Sequence, residues 1–404
     1  MHSIPQVSRS KDIRFYVKAF VIGLCLFAYL VLGFYTELKL IGVKPLPEKL
    51  IEDFHYYRRA YSNAQETGDP YQEREIGLAF LYPPPSLLVI GIFVRISPFL
   101  LRASIFTATN ILLLSLMIYG IAHRYGYTLS DVWWWFPLGL GFAPFLELLH
   151  LGQINVITQF GVFLMFLLAE PAPVLGGVGL ALGVVTKATP LAFVGYLLAN
   201  RNLKAVVGTA IGLAGFSLLT GLTYGWQLFP SFFEVFRELL DAFPLGPNSQ
   251  SLFALLESHT TIPYESLQIV HKGLTIYVLL VFAISGIITY LSREREPLFI
   301  ILSLGLTLIP NVMWYHHYVF FLLPVFVWLA WSRLHPAVVI WCFAGLLLIQ
   351  VDRLYSFLEV THGALAHIFG HVSILIILVW QMRKVAGILK GKPDFRGLLR
   401  WRSS

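Results

Sequence analysis

Asp53 opens the longest polar stretch in the first third of this chain, Asp53-Phe-His55-Tyr56-Tyr57 … Ala60 … Gly68-Asp-Pro-Tyr71 … Tyr82-Pro-Pro-Pro85. A carboxylate in such a place can take a proton from a hydroxyl nucleophile. An ordinary aspartate is a weak base at neutral pH, so burial or positioning has to assist it. Tyr56, Tyr57, Ala60 and Tyr61 follow at helical spacing, so Asp53 opens an amphipathic segment. The rival reading is a solvated surface charge, and Glu52 is an adjacent alternative base.

Lys187 lies near the middle of the apolar run Val174–Asn200. As one helix that run would be about 39 Å long, leaving Lys187 about 20 Å from either end. A lysine at mid-membrane costs at least about 2.5 kcal/mol, so it must face an aqueous cavity, a counter-ion or a bound anion. An ion pair with Glu147 is one reading; an anionic phosphate is the other. Pro190 removes the hydrogen bond to Thr186 and clashes with its carbonyl, which predicts a kink or break at Thr186-Lys187.

A third group is Pro310-Asn311-Val-Met-Trp314-Tyr-His316-His317. Neighbouring histidines on a helix point about 100° apart and do not converge on one metal ion. Hydrogen bonds from them to phosphate or sugar suit the pair better. His367 and His371 have i,i+4 spacing but no nearby carboxylate, and packing is the favoured reading. Gln153, Asn155, His150 and Asn248-Ser249-Gln250 are the remaining polar candidates. No phosphate-binding glycine loop, dinucleotide fingerprint, zinc spacing or serine nucleophile elbow occurs, so the expectation is no cofactor and no metal. The energy for any reaction must then arrive with the substrate.

The elements that hold these groups are membrane helices. Of 404 residues, 57% are apolar and only 13% charged, against roughly 25% charged in soluble domains. The net charge of +7 does not indicate a nucleic-acid partner. Its excess sits in Arg9, Lys11, Arg14 and Lys18 before the first apolar run, and in a basic tail, about 383–404, after the last. That is a positive-inside pattern placing both ends in the cytoplasm. Cys25 and Cys342 lie within apolar runs, which excludes a disulfide framework. The first run, about 15–35, reads as a retained span rather than a signal peptide.

Twelve crossings are expected: about 15–35, from 82, to about 121, 132–149, 154–169, 174–200, 205–224, 273–291, 298–314, 317–331, 337–351 and 368–382. Arg95 and Arg102 then bracket an inner turn. The two long outer loops are about 37–81 and 225–272, within one domain covering 1–404. In the second loop Phe232, Phe236, Leu239 and Phe243 share one helical face and Glu234, Arg237, Glu238 and Asp241 the other, as in a helix lying in the membrane interface. This count leaves Gln153 on the cytoplasmic side. If 132–149 re-enters without crossing and 174–200 splits at Lys187, Gln153 moves outside and later parity is kept.

Taken in order, Asp53-x-x-Tyr56-x-x-x-Ala60 … Gly68-x-x-Tyr71 … Tyr82-Pro-Pro, Gly152-Gln153-x-Asn155, Thr186-Lys187-x-x-Pro190, the Asn248 segment and Pro310 … Trp314-x-His316-His317 resemble glycosyltransferase family 87. These are membrane enzymes of the GT-C superfamily that take sugar from a polyprenyl-phosphate donor. The resemblance spans nearly the whole chain and departs at Asn311, where a small residue is expected. It implies an all-α polytopic membrane protein of the GT-C fold, with Asp53 as general base. Lys187, His316 and His317 would contact donor phosphate or sugar, and His55, Tyr56, Tyr82, Gln153, Asn155, Asn248 and Trp314 are the other substrate-binding candidates. The acceptor, a glycolipid or glycan hydroxyl, would attack the anomeric carbon as polyprenyl phosphate leaves, inverting that centre and turning a β-mannosyl phosphate into an α-mannoside. Mannose is favoured over arabinofuranose on family frequency. The implied setting is the plasma membrane, with the site on its outer face and lipids as neighbours.

A transporter or lipid flippase would also have twelve spans and an intramembrane lysine. Such proteins often carry paired repeats, yet no second copy of the Asp53–Tyr82 pattern occurs and the two long insertions are unlike each other. A noncatalytic scaffold would not need Lys187.

Overall fold

A backbone surrounded by apolar side chains satisfies its own amides and carbonyls most simply as helix, and every regular element among the described residues is helical. The structure, a computed structural model, describes residues 23–35, 51, 53–73, 80–242, 251, 254, 256, 260–310, 313–356 and 364–390. The amino-terminal basic residues, Glu52, Asn248, Asn311, Phe243 and the end of the basic tail lie outside that set.

In chain order the helices are α1 Gly23–Tyr35, α2 Phe54–Glu66, α3 Ser86–Val94 and α4 Phe99–Arg124. Three short helices follow, α5 Leu129–Val132, α6 Trp135–Leu140 and α7 Ala143–Leu151. Then come α8 Asn155–Leu168, α9 Pro173–Thr186, a 3-10 turn Thr189–Ala192, α10 Phe193–Ala199, α11 Leu203–Tyr224 and α12 Leu228–Ala242. The chain closes with α13 Tyr264–Ser292, α14 Glu296–Leu308, a 3-10 helix Tyr315–Phe321, α15 Leu322–Trp331, α16 Pro336–Ser356 and α17 Ala364–Lys390. Among the described residues four segments are long and apolar enough to cross a membrane: Phe99–Arg124, Leu203–Tyr224, Glu265–Ser292 and Ala364–Gly387.

The bundle has two ends, about 39 Å apart along the 26 residues of α4. At one end Arg124 pairs with Glu170 at 3.0 Å, Arg295 pairs with the same carboxylate at 2.6 Å, and Lys384 pairs with Glu294. At the other end Phe54 of α2 packs edge-on to Phe106 of α4, and Tyr61 of α2 packs edge-on to Tyr224 at the end of α11. A second, smaller core forms there from α2, α3, Tyr71, Phe80, Ile154, Tyr224 and Phe232.

Helix α3 corrects the expected path. It has nine residues, about 13 Å, against about 30 Å of bilayer hydrocarbon. Arg95, at its far end, donates to the Tyr61 hydroxyl at 2.6 Å, and the Arg102 guanidinium lies 5.8 Å over the Phe54 ring. Both arginines therefore sit at the Asp53 end and not in an opposite turn. Most apolar side chains of α3 are taken up by protein: Leu87, Val89, Ile90 and Phe93 are buried, while Ile92 is exposed.

The break at Lys187 forms as expected. Helix α9 stops at Thr186, Lys187 is extended, and Pro190 starts the next turn. Small residues bring α8, α9 and α11 together. A Cβ on Gly161 would stand 2.4 Å from the Gly183 nitrogen, and one on Gly177 would stand 2.0 Å from the Ala205 carbonyl oxygen. Helix α12 differs in part from expectation. Phe232 and Val235 face the second core, while Phe233 and Phe236 are exposed.

Candidate active site

Asp53 is held by backbone and side chain together. Its amide donates to the Leu151 carbonyl at 2.8 Å, so the start of α2 is tied to the end of α7. Gly152 then turns the chain in the left-handed region, with φ of 76°. Ile51 lies so close that a Cβ on Gly152 would meet its Cβ at 2.7 Å. Glycine is the residue that permits both the turn and the approach.

That turn presents Gln153, whose amide Nε2 donates to Asp53 Oδ2. Its Oε1 lies 2.9 Å from the Tyr57 hydroxyl and 2.9 Å from the Tyr82 hydroxyl, and the two hydroxyls are 2.8 Å apart. A carboxylate can only accept, so the amide nitrogen has to face Asp53 and the carbonyl has to face the phenols. Burial pushes the pKa of both phenols well above the ordinary tyrosine range, and the Asp53 charge adds to it. Tyr57 and Tyr82 therefore remain protonated donors. The Tyr71 hydroxyl donates to the Tyr82 carbonyl at 2.8 Å, which connects the Gly68 turn to the same group.

Two residues beyond Gln153, Asn155 begins α8 and reaches a second cluster. Lys187 Nζ lies 2.9 Å from His317 Nε2, 3.5 Å from Asn155 Oδ1 and 5.3 Å from the centre of the Phe320 ring. The Trp314 amide lies 3.4 Å from the other ring nitrogen, Nδ1, so the imidazole is held from both sides. Among the described residues no carboxylate forms an ion pair with Lys187, so the Glu147 pairing is not what holds it. The Asn155 Nδ2 is buried with no hydrogen-bond partner among the described residues. Beside Lys187 an apolar cavity of about 150 Å3 opens between Pro190, Phe193, Leu306, His317 and Phe320.

The hydrogen bond between Gln153 and Asp53 overturns the crossing count that separates them. Gln153 reaches the Asp53 end because α3 is too short to run the length of the bundle, with α5 to α7 returning the chain from the Arg124 end. The re-entrant form of 132–149 is not needed.

The profile of Glycosyltransferase family 87 matches residues 80–313, more than half of the chain. The chain belongs to glycosyltransferase family 87. No curated protein matches it. As a member of this family the protein is a membrane glycosyltransferase, acting on a sugar donor and an acceptor. Tyr82, Gln153, Asn155 and Lys187 fall inside the matched segment. Asp53 falls outside it and is tied to that segment by its contacts with Leu151 and Gln153.

Of the expected site residues of this family 87 glycosyltransferase, the structure gathers Asp53, Tyr82 and Gln153 in one group and Asn155, Lys187 and His317 in the next. His316 is buried and packs edge-on to the His317 ring at 4.6 Å, so it supports the imidazole. His55 is exposed and Tyr56 half-buried, and neither joins a group; the Trp314 ring is exposed while its backbone amide lies 3.4 Å from His317 Nδ1. Asn248 lies outside the described residues. Tyr57 is the residue that the sequence argument left out. It stands four positions after Asp53, on the same helical face, and that spacing was the available signal.

Gln153→Ala is expected to lower kcat about 10- to 100-fold while leaving the KM for donor within about twofold, because the carboxylate loses its orientation and no donor contact. Steady-state kinetics on the purified variant, beside its melting temperature, checks this.

Proposed function

We propose that this protein is an inverting glycosyltransferase that moves mannose from a polyprenyl-phosphate donor to a hydroxyl of a lipid-linked or glycan acceptor, forming an α-mannoside. The observation that carries the reading is a held carboxylate, Asp53, at the same end of the bundle as a half-buried lysine, Lys187, beside an apolar cavity. Asp53 takes the acceptor proton, the acceptor oxygen attacks the anomeric carbon, and the bond from that carbon to the phosphate oxygen breaks. The leaving phosphate gains negative charge as it departs, and Lys187 with His317 and Asn155 is the group suited to meet it. The apolar cavity next to Lys187 suits the first carbons of the lipid.

The same reading assigns a GT-C architecture with twelve passes. Residues 82–94 drop out of the expected set, and the split of 174–200 at Lys187 restores the number. The basic end with Arg124, Arg201, Arg295 and Arg333 would face the cytoplasm and the Asp53 end would face outward, in the plasma membrane.

The test is a donor panel. Purified protein is given polyprenyl-phosphate mannose or polyprenyl-phosphate arabinofuranose with lipid extract as acceptor, and products are read by mass. A hexose added only from the mannose donor is expected. A pentose product would replace mannose with arabinofuranose, and no product from either would remove the polyprenyl-phosphate reading.

A further inference from the structure

At the end of the bundle opposite Asp53, a polar cavity of about 400 Å3 opens where α10 and α13 end and α14 begins. Its carboxylates already have partners. Glu170 binds Arg124 at 3.0 Å and Arg295 at 2.6 Å. Glu296 accepts from the Tyr125 hydroxyl at 3.2 Å and lies 3.6 Å from Arg295 Nε. Glu294 is paired with Lys384. The three lining carboxylates are met by Arg295 of the lining and by Arg124 and Lys384 outside it, which leaves the lining Arg293 without a carboxylate partner among the described residues.

What the cavity has left is donor capacity. Among the described residues the Arg293 guanidinium has no hydrogen bond or ion pair, and it lines the cavity. Arg293 also closes α13 in the left-handed region, with φ of 65°, where glycine would sit without strain. Tyr196, 1% exposed, lines the cavity as well, and its hydroxyl has no hydrogen-bond partner among the described residues. A buried hydroxyl left unpaired is unfavourable, so a ligand that accepts from it is favoured.

We propose that this cavity binds a phosphate-bearing anion, with the Tyr196 hydroxyl and the Arg293 guanidinium as donors. The Arg293 guanidinium, left without a carboxylate, calls for an anion. Tetrahedral phosphate presents several acceptor oxygens, which lets one group answer a hydroxyl and a guanidinium from different sides. A lipid headgroup and free phosphate share this chemistry, and the experiment separates them.

Thermal unfolding of the full chain in detergent is followed with inorganic phosphate against chloride at matched ionic strength, and with short-chain phosphatidic acid against the matching diacylglycerol. A saturable rise of about 2–4 °C is expected for at least one phosphate ligand. Tyr196→Phe keeps the ring and removes only the unpaired hydroxyl. It should melt no lower than the parent without ligand and should lose most of the rise. Arg293→Gln should weaken the rise, and Lys187→Met should keep it, which separates this cavity from the phosphate role proposed for Lys187. A response to inorganic phosphate alone identifies a soluble ligand, and a response only to phosphatidic acid identifies a headgroup; both support the site. No rise with either ligand, an unchanged rise in Tyr196→Phe and Arg293→Gln, or a rise lost in Lys187→Met overturns it.

Discussion

Asp53→Asn is expected to lower sugar transfer by at least about 100-fold, within the range that a positioned general base supplies. The substitution replaces one carboxylate oxygen by an amide and changes little in size. The backbone bond from Asp53 to Leu151 does not involve the side chain, so α2 stays attached to α7. An asparagine carbonyl can still accept from Gln153 Nε2, so the Tyr57–Gln153–Tyr82 group keeps its geometry. The melting temperature should therefore stay within about 2 °C of the parent while kcat falls. Transfer kinetics and unfolding measured on the same preparation decide it. Full activity in the variant would take the base role away from Asp53, and a large loss of stability would make the lost activity uninformative about chemistry.

Lys187→Met should cut transfer about 100- to 1,000-fold, the scale seen when one donor to a developing negative charge is removed. Methionine keeps the unbranched length of the side chain and fills the same space without charge. The phosphate is more negative as it leaves than in the bound donor, so kcat should fall more than the KM for donor rises. The stability outcome separates this role from a structural one. Because no carboxylate pairs with Lys187 among the described residues, removing a poorly hydrated cation should leave the melting temperature unchanged or raise it. A lower melting temperature with unchanged donor kinetics would make Lys187 a packing element bound to His317 and Asn155.

The two variants probe opposite halves of one displacement. In the proposed reaction Asp53 acts on the incoming hydroxyl and Lys187 on the departing phosphate. Gln153 and Asn155 lie on either side of Ile154, so a single turn at the start of α8 serves both clusters.

Much of this arrangement was legible without coordinates. Low charge content and long apolar runs dictate a membrane helix bundle, since a lipid-exposed backbone has to bond to itself. Pro190 dictates the interruption at Thr186-Lys187, because a missing amide and a ring clash act over four residues of the same chain. The ordered polar stretches named the family. Three things depended on tertiary structure. Apolar content shows that α3 avoids water but not whether lipid or protein covers it. Here α2 and α4 cover most of it, which places Arg95 and Arg102 at the Asp53 end. The identity of the residue that holds Asp53 comes from a position 100 residues later, and the partner of Lys187 from one 130 residues later. Local spacing has no access to such pairings, because they are set by how helices pack. For the same reason Tyr57 and not Tyr56 completes the group around Asp53: the two differ by about 100° on α2, and only packing against Tyr82 and Gln153 chooses which face is turned inward.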